Sequence, residues 1–185
     1  MKSLNNVGAE RLGDALGESI DDGAKLSIIS SYFTVFAYGE LKEELSKVDE
    51  VRFLFSEPTF IKRMADSKEP REFEVARRAR EVGVGGSGLE LTLRNNLNQR
   101  ALARECAEWI REKGVFKSAK TSGAIQPGGT YVVENPSGDD HAFMGAAANF
   151  TQEGLGYERR PGTVTCVSHF ENATGAIGLK MMFGS

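Results

Sequence analysis

The run Asn149-Phe150-Thr151-Gln152 places two side-chain amides and a hydroxyl directly after Gly145-Ala146-Ala147-Ala148, a stretch almost without side chains. Such a stretch lets a ligand or another backbone approach closely, and amide and hydroxyl groups can donate to phosphate oxygens. Asn149 and Thr151 therefore offer polar groups beside that opening. Cleaving a phosphodiester there would ask for more. A covalent route needs an activated nucleophile, and phosphoryl transfer needs cations on the equatorial oxygens. The chain has only two histidines, His141 and His169, and neither has a lysine two residues later. His141 reads as a turn-edge residue before a strand at Ala142–Met144. His169 reads as the point where a strand passes into a closing helix. Both are expected to be structural.

The polar run is preceded by two short apolar segments, Tyr131–Glu134 and Ala142–Met144, separated by the turn formers Asn135-Pro136-Ser137-Gly138-Asp139-Asp140. Two strands joined by a polar turn are expected. Together with Ala147-Ala148-Asn149-Phe150-Thr151 and Gly154-Leu155-Gly156, this arrangement resembles the second half of the phospholipase D (HKD) superfamily signature. In that family a strand carries His-x-Lys-x-x-x-x-Asp and a later loop carries Gly-Ser-x-Asn-hydrophobic-Thr. With Glu134 at the acidic position, the family's histidine falls on Pro127 and its lysine on Gly129. The catalytic pair is absent, and the resemblance leaves Asn149, Thr151 and Gln152 to hold a phosphate in a vestigial pocket, beside the plainer reading of a capped loop that satisfies its own backbone. The motif match is confined to Tyr131–Gly156, and more narrowly the chain is similar to phospholipase D-like domains at the N-termini of bacterial Swi/Snf-type helicases.

The elements that would position these residues follow an α/β pattern. Leu4, Leu12, Leu16 and Ile20 approximate one helical face, stopped by Asp21-Asp22-Gly23. Lys25–Ser31 reads as a strand, Thr34 as the cap of a helix reaching about Val48, and Glu50–Phe55 as a second strand. Strand, helix and strand at this spacing make a βαβ unit, so the two strands should be parallel and adjacent. Family members open the same way, with a strand-end segment where Ser30-Ser31-Tyr32-Phe33 stands here. Residues 60–82 are charged and helical in pattern, especially Arg71–Val82. Gly83–Gly88 lacks the Lys-Ser/Thr ending of a phosphate-cradling loop and reads as a connector. A long helix is expected from Asn95 or Asn96 to Lys113, with Gly114 as its stop. Its apolar face joins Leu102, Cys106, Trp109, Ile110 and Lys113. Val115–Ala119 and Thr163–Ser168 read as further strands, Thr121–Gly129 as a loop, and Glu171–Phe183 as a closing helix. The fold expected is α/β, a mixed β-sheet flanked by helices on both faces, and the resemblance makes it a phospholipase D-like half.

Composition sets the outer bounds. With 185 residues, 40% hydrophobic and 26% charged, the chain suits one globular domain with a real core. A net charge of −3 does not announce nucleic acid, and only segment 60–113 carries more basic than acidic residues. Arg77, Arg78, Arg100 and Arg104 are the candidates for phosphate contacts with DNA, although Glu105, Glu108 and Glu112 interleave with the arginines of the long helix. Two cysteines make no disulfide framework, and Cys106 and Cys166 are expected to be buried thiols. The chain carries neither a signal peptide nor an apolar run long enough to span a membrane, which points to a cytoplasmic protein without membrane contact. No metal or cofactor motif is present, nor a Walker A motif for ATP hydrolysis.

The resemblance implies a single domain over residues 1–185, the N-terminal part of a longer protein. It implies a catalytically degenerate module that binds nucleic acid or supports assembly, fused to a helicase-type, ATP-hydrolysing motor. The family completes its site from two copies of the signature, so a homodimer is implied as well. Two alternatives stand beside this reading. One is an active phosphodiesterase or nuclease with relocated groups, His141 as nucleophile and Lys117 or Lys120 as its phosphate partner. The other is a purely structural protein-interaction domain.

Overall fold

A computed structural model describes residues 1–56, 88–118, 128–159 and 165–172. Its frame is a seven-stranded mixed sheet in the order β1-β7-β6-β5-β2-β3-β4. The strands are β1 (Lys2–Leu4), β2 (Lys25–Ser30), β3 (Glu50–Phe55), β4 (Gly114–Ser118), β5 (Gly129–Glu134), β6 (His141–Gly145) and β7 (Val167–Glu171). Three helices appear among the described residues: α1 (Leu12–Glu18), α2 (Val35–Lys47) and α3 (Gly88–Lys113).

The βαβ unit forms as its pattern requires. β2 pairs with β3 in parallel from Lys25↔Glu50 to Ser30↔Phe55. The Thr34 hydroxyl accepts from the Ala37 amide at 3.2 Å, satisfying a donor that the first turn of α2 cannot. The other end of α2 is closed from α3. Lys113 Nζ donates to the carbonyls of Ser46 and Val48 at 2.7 Å each, and Trp109 Nε1 donates to the Leu45 carbonyl at 3.2 Å. A cation at a helix C-terminus also complements the helix dipole. Trp109 and Cys106 are buried, as the helical face containing them predicts.

One continuous core lies between these helices and one sheet face. Leu12 and Leu16 of α1, Leu41 and Leu45 of α2, and Trp109 of α3 meet Leu26, Ile28, Val51, Phe53, Tyr131 and Phe143. Phe53 is its aromatic hub, with ring centroids 5.3 Å from Phe116, 5.5 Å from Phe33 and 4.6 Å from Phe55. On the opposite face Val132 and Ala142 pack with Phe170 in a smaller cluster. The described helices thus share one face. The closing helix expected at Glu171–Phe183 lies outside the described residues, except that Glu171 ends β7 and Asn172 forms a bend. The helical pattern at 60–82 and the connector at 83–87 lie outside them too. Among the described residues no helix is long and apolar enough to cross a membrane.

Several boundaries differ from expectation. Leu4 does not share a helix with Leu12, because Asn6 and Gly8 take positive φ values of 54° and 63° and break the chain direction. Leu4 instead ends β1, which pairs antiparallel with β7. α1 then begins late and ends at Ser19, leaving Ile20 beyond it. α3 starts at Gly88, upstream of Asn95. Gly114 is not a left-handed stop but the first residue of β4. A Cβ there would lie 2.6 Å from the Phe116 ring and 2.7 Å from the Ile110 carbonyl, so close approach selects glycine. The last strand, expected at Thr163–Ser168, is Val167–Glu171, which sets His169 inside it. Cys166 falls just ahead of that strand and is exposed, not buried.

Candidate functional site

The carboxyl ends of β2 and β3 lie on one sheet edge, the edge where α/β folds usually seat ligands. Here that edge meets the loop after β6. Ser30, fully buried, accepts from the Phe150 amide at 3.0 Å, and its hydroxyl hydrogen faces both the Tyr32 carbonyl (2.8 Å) and Asn149 Oδ1 (3.0 Å). Asn149 Oδ1 also accepts from the Ser31 amide at 3.0 Å. The hydroxyls of Ser31 and Ser56 are 2.6 Å apart, and the Ser56 amide donates to the Ser30 carbonyl. Three serines and one asparagine therefore knit the edge together, each spending polar capacity on the others.

The three expected phosphate holders are not brought together. Asn149 belongs to the serine edge. Thr151 turns its hydroxyl back to accept from the Gly154 amide at 3.0 Å, which closes its own loop. Gln152 points away, donating Nε2 to Glu40 Oε1 of α2 at 2.6 Å. It borders a surface groove of about 420 Å³ between α2 and α3, flanked by Phe36, Lys42, Leu102 and Glu105. A carboxylate already bound to Gln152 works against an anion there.

The two positions that the resemblance aligns with the family's histidine and lysine are Pro127 and Gly129. Pro127 lies outside the described residues. Gly129 opens β5, and a Cβ built on it would stand 1.5 Å from the Ala148 carbonyl oxygen. That carbonyl accepts from the Tyr131 hydroxyl at 2.6 Å in a fully buried setting, and burial alone pushes the Tyr131 phenol far above its ordinary range. The space beside Gly129 is thus occupied by backbone. Glu134, at the other end of β5, sits 3.8 Å from Arg52, which is forked onto Glu50 at 2.9 and 3.1 Å. The hydrogen bond from Arg52 holds the Glu50 carboxyl below its usual range, against the opposing effect of burial.

Arg100 and Arg104 are exposed on α3, one helical turn apart. Glu105 next to them pairs with Lys42 at 3.5 Å. Arg77 and Arg78 lie outside the described residues, as does Lys120. The pairing of His141 with Lys117 does not occur. His141 is on β6 and Lys117 on β4, with β5, β2 and β3 between them. Four strand spacings of ~4.8 Å put them about 19 Å apart.

The residue contact that sequence reasoning missed is between the two histidines. His141 Nδ1 and His169 Nε2 are 3.1 Å apart, and His169 stacks on Phe143 with ring centroids 4.2 Å apart. Asp139 Oδ2 lies 3.5 Å from the other nitrogen of His141. Spacing alone gave no sign of this pair; alternation could have given only the side on which His169 lies. Val167, His169 and Glu171 share a face once that segment is read as a strand. Among the described residues no group of three or more His, Cys, Asp or Glu side chains is placed to hold a metal ion. No protein-family model matches this chain, and no curated protein sequence matches it.

Proposed function

We propose that this chain is a catalytically silent phospholipase D-like scaffold serving as a nucleic-acid-binding or assembly module of a helicase-type protein. The observation that carries the reading is the pairing of Asn149 with a packed Gly129. An asparagine follows the β5–β6 hairpin, the order in which the family signature has it, and its side chain reaches the carboxyl end of β2. The position corresponding to the family's lysine is pressed against the Ala148 carbonyl, where no ammonium fits. The histidines offer no substitute nucleophile at this edge. His141 pairs with Val133 and Gly145 with Gly129, so four residues of β6, ~13 Å, separate His141 from the Asn149 loop.

DNA is the proposed partner, through Arg100 and Arg104 on the exposed side of α3 and, on sequence grounds, Arg77 and Arg78. Phosphate contacts of this kind are sequence-independent and salt-sensitive. A homodimer joined near the Asn149 loops and fusion to a helicase motor belong to the same proposal. Fluorescence anisotropy with single- and double-stranded DNA tests it. Binding should weaken with salt, and the Arg100→Ala/Arg104→Ala double variant should lower affinity and reduce the log–log salt slope by about 2. No affinity at low salt would end the nucleic-acid reading for this chain. Phosphodiester hydrolysis by the purified chain, abolished by His141→Ala, would end the silent one.

A further inference from the structure

The histidine pair lies at the end of the sheet opposite the serine edge. His141 begins β6, His169 lies at the centre of β7, and both face the side that carries Phe143. The strand beyond them is β1, three residues long, held to the sheet by the register Lys2↔His169, Ser3↔Ser168 and Leu4↔Val167. Every pairing of β1 is therefore to the strand that carries the buried histidine. We propose that His141 and His169 form a proton-operated latch that keeps β7 and β1 docked while the pair holds no more than one added proton.

The geometry gives the rule. At 3.1 Å one hydrogen sits between His141 Nδ1 and His169 Nε2, so one nitrogen donates and the other accepts. In the neutral pair His169 Nε2–H donates to His141 Nδ1. That tautomer leaves His141 Nε2–H directed at Asp139 Oδ2, 3.5 Å away, so both contacts are satisfied. One added proton is accommodated, because an imidazolium–imidazole pair still has a single hydrogen between the facing nitrogens. A second proton sets two N–H groups against each other at the same distance, and the contact must open. The charged groups around the pair come from every neighbouring strand and turn. Asp139 in the β5–β6 turn lies 3.5 Å from His141; at His169, Glu171 on β7 favours protonation, while Lys2 on β1 and the N-terminal ammonium oppose it. Burial, and then the charge of His141, hold His169 below the ordinary histidine range, in keeping with this rule. Glu171 and Lys2 are themselves hydrogen-bonded, so acid that displaces β7 also strains the contact anchoring β1.

Histidine ring NMR signals and amide exchange, followed on the intact chain through the ordinary histidine range near ~6.5, test the latch. Two coupled steps separated by more than ~1 pH unit are expected, each felt by both rings. With the second step, amide protection at Leu4 and at Ser168–Phe170 should fall by roughly tenfold or more, while that at Ile28 and Phe53 holds. In the His169→Gln variant the acid-dependent loss at Leu4 should vanish. If that variant does not fold, the titration of the unaltered chain decides alone. Two independent single-group titrations, or protection of β1 and β7 that survives both steps, would overturn the latch.

Discussion

Strands β2, β3 and β4 run parallel, with α2 and α3 between them in sequence, whereas β5, β6, β7 and β1 pair antiparallel, β5 and β6 as a hairpin and β1 from the other end of the chain. In the parallel region the helix-facing side is aromatic and aliphatic, and the buried polar residues are serines, Ser30 and Ser56 at the carboxyl edge and Ser27 within β2 on the other face. In the antiparallel region polar groups enter the interior itself. Asn135 is buried in the hairpin turn, where its amide donates to the Ser19 and Asp139 carbonyls, and His169 is buried in a strand. The difference assigns separate sensitivities. The parallel region responds to changes in volume, the antiparallel region to changes in hydrogen bonding and proton number.

The largest effect expected from testing that contrast is in the aromatic hub. Phe53→Ala should lower unfolding free energy by about 3–5 kcal/mol, measured by urea denaturation. If the loss is under ~1 kcal/mol, the parallel half does not depend on tight packing. At the junction of the two regions, Tyr131→Phe removes the hydroxyl donor on the buried Ala148 carbonyl and should cost about 1–3 kcal/mol. Asn149→Ala leaves the Ser31 amide without its acceptor, and a similar or somewhat smaller loss is expected because the site is only half-buried.

The pH response should belong to the antiparallel region. The folded chain holds His169 below its unfolded value, so the unfolded chain takes the proton first as acid is added. The stability contributed is complete above ~6.5 and is lost as pH falls from there through the lower folded value. Thermal melts of the unaltered chain and of His169→Gln should therefore diverge in acid-dependence. Parallel curves would remove His169 as the cause. The cysteines provide a milder comparison. Burial pushes the Cys106 thiol up to about 11, while Cys166 is exposed beside Ser3, so a thiol reagent should modify Cys166 alone in the native protein. The smallest expected effect is on the surface. Arg100→Ala and Arg104→Ala should change stability by no more than ~0.5 kcal/mol, which makes them clean probes of DNA binding.

Much of the parallel region was legible in the residue order. Thr34 as a cap, the strands either side of α2 and their adjacency all came from contiguous patterns, since capping and apolar periodicity act within a few turns of chain. The long helix and the buried Trp109 followed from the same 3.6-residue spacing. The errors cluster where distant segments compete. Leu4 was drawn into a helical face because its spacing to Leu12 fits one, yet β7 offers it strand pairing instead. Gly114 looks like a helix stop, but the neighbouring Phe116 ring and Ile110 carbonyl are what demand glycine. At the candidate site, the polar groups of Asn149, Thr151 and Gln152 were legible, while the turning away of Thr151 and Gln152 was not, because Gly154 and Glu40 compete for them.

Residue order by itself determined an α/β chain with a βαβ unit, a hairpin at Tyr131–Met144 and an Asn-bearing loop after it. Those features depend on hydrogen bonds and apolar spacing between near neighbours. Tertiary structure alone decided that Asn149 meets Ser30 across 119 residues, and that His141 meets His169 across 28. Such meetings depend on strand order and register, which emerge only when the whole sheet buries its apolar face at once.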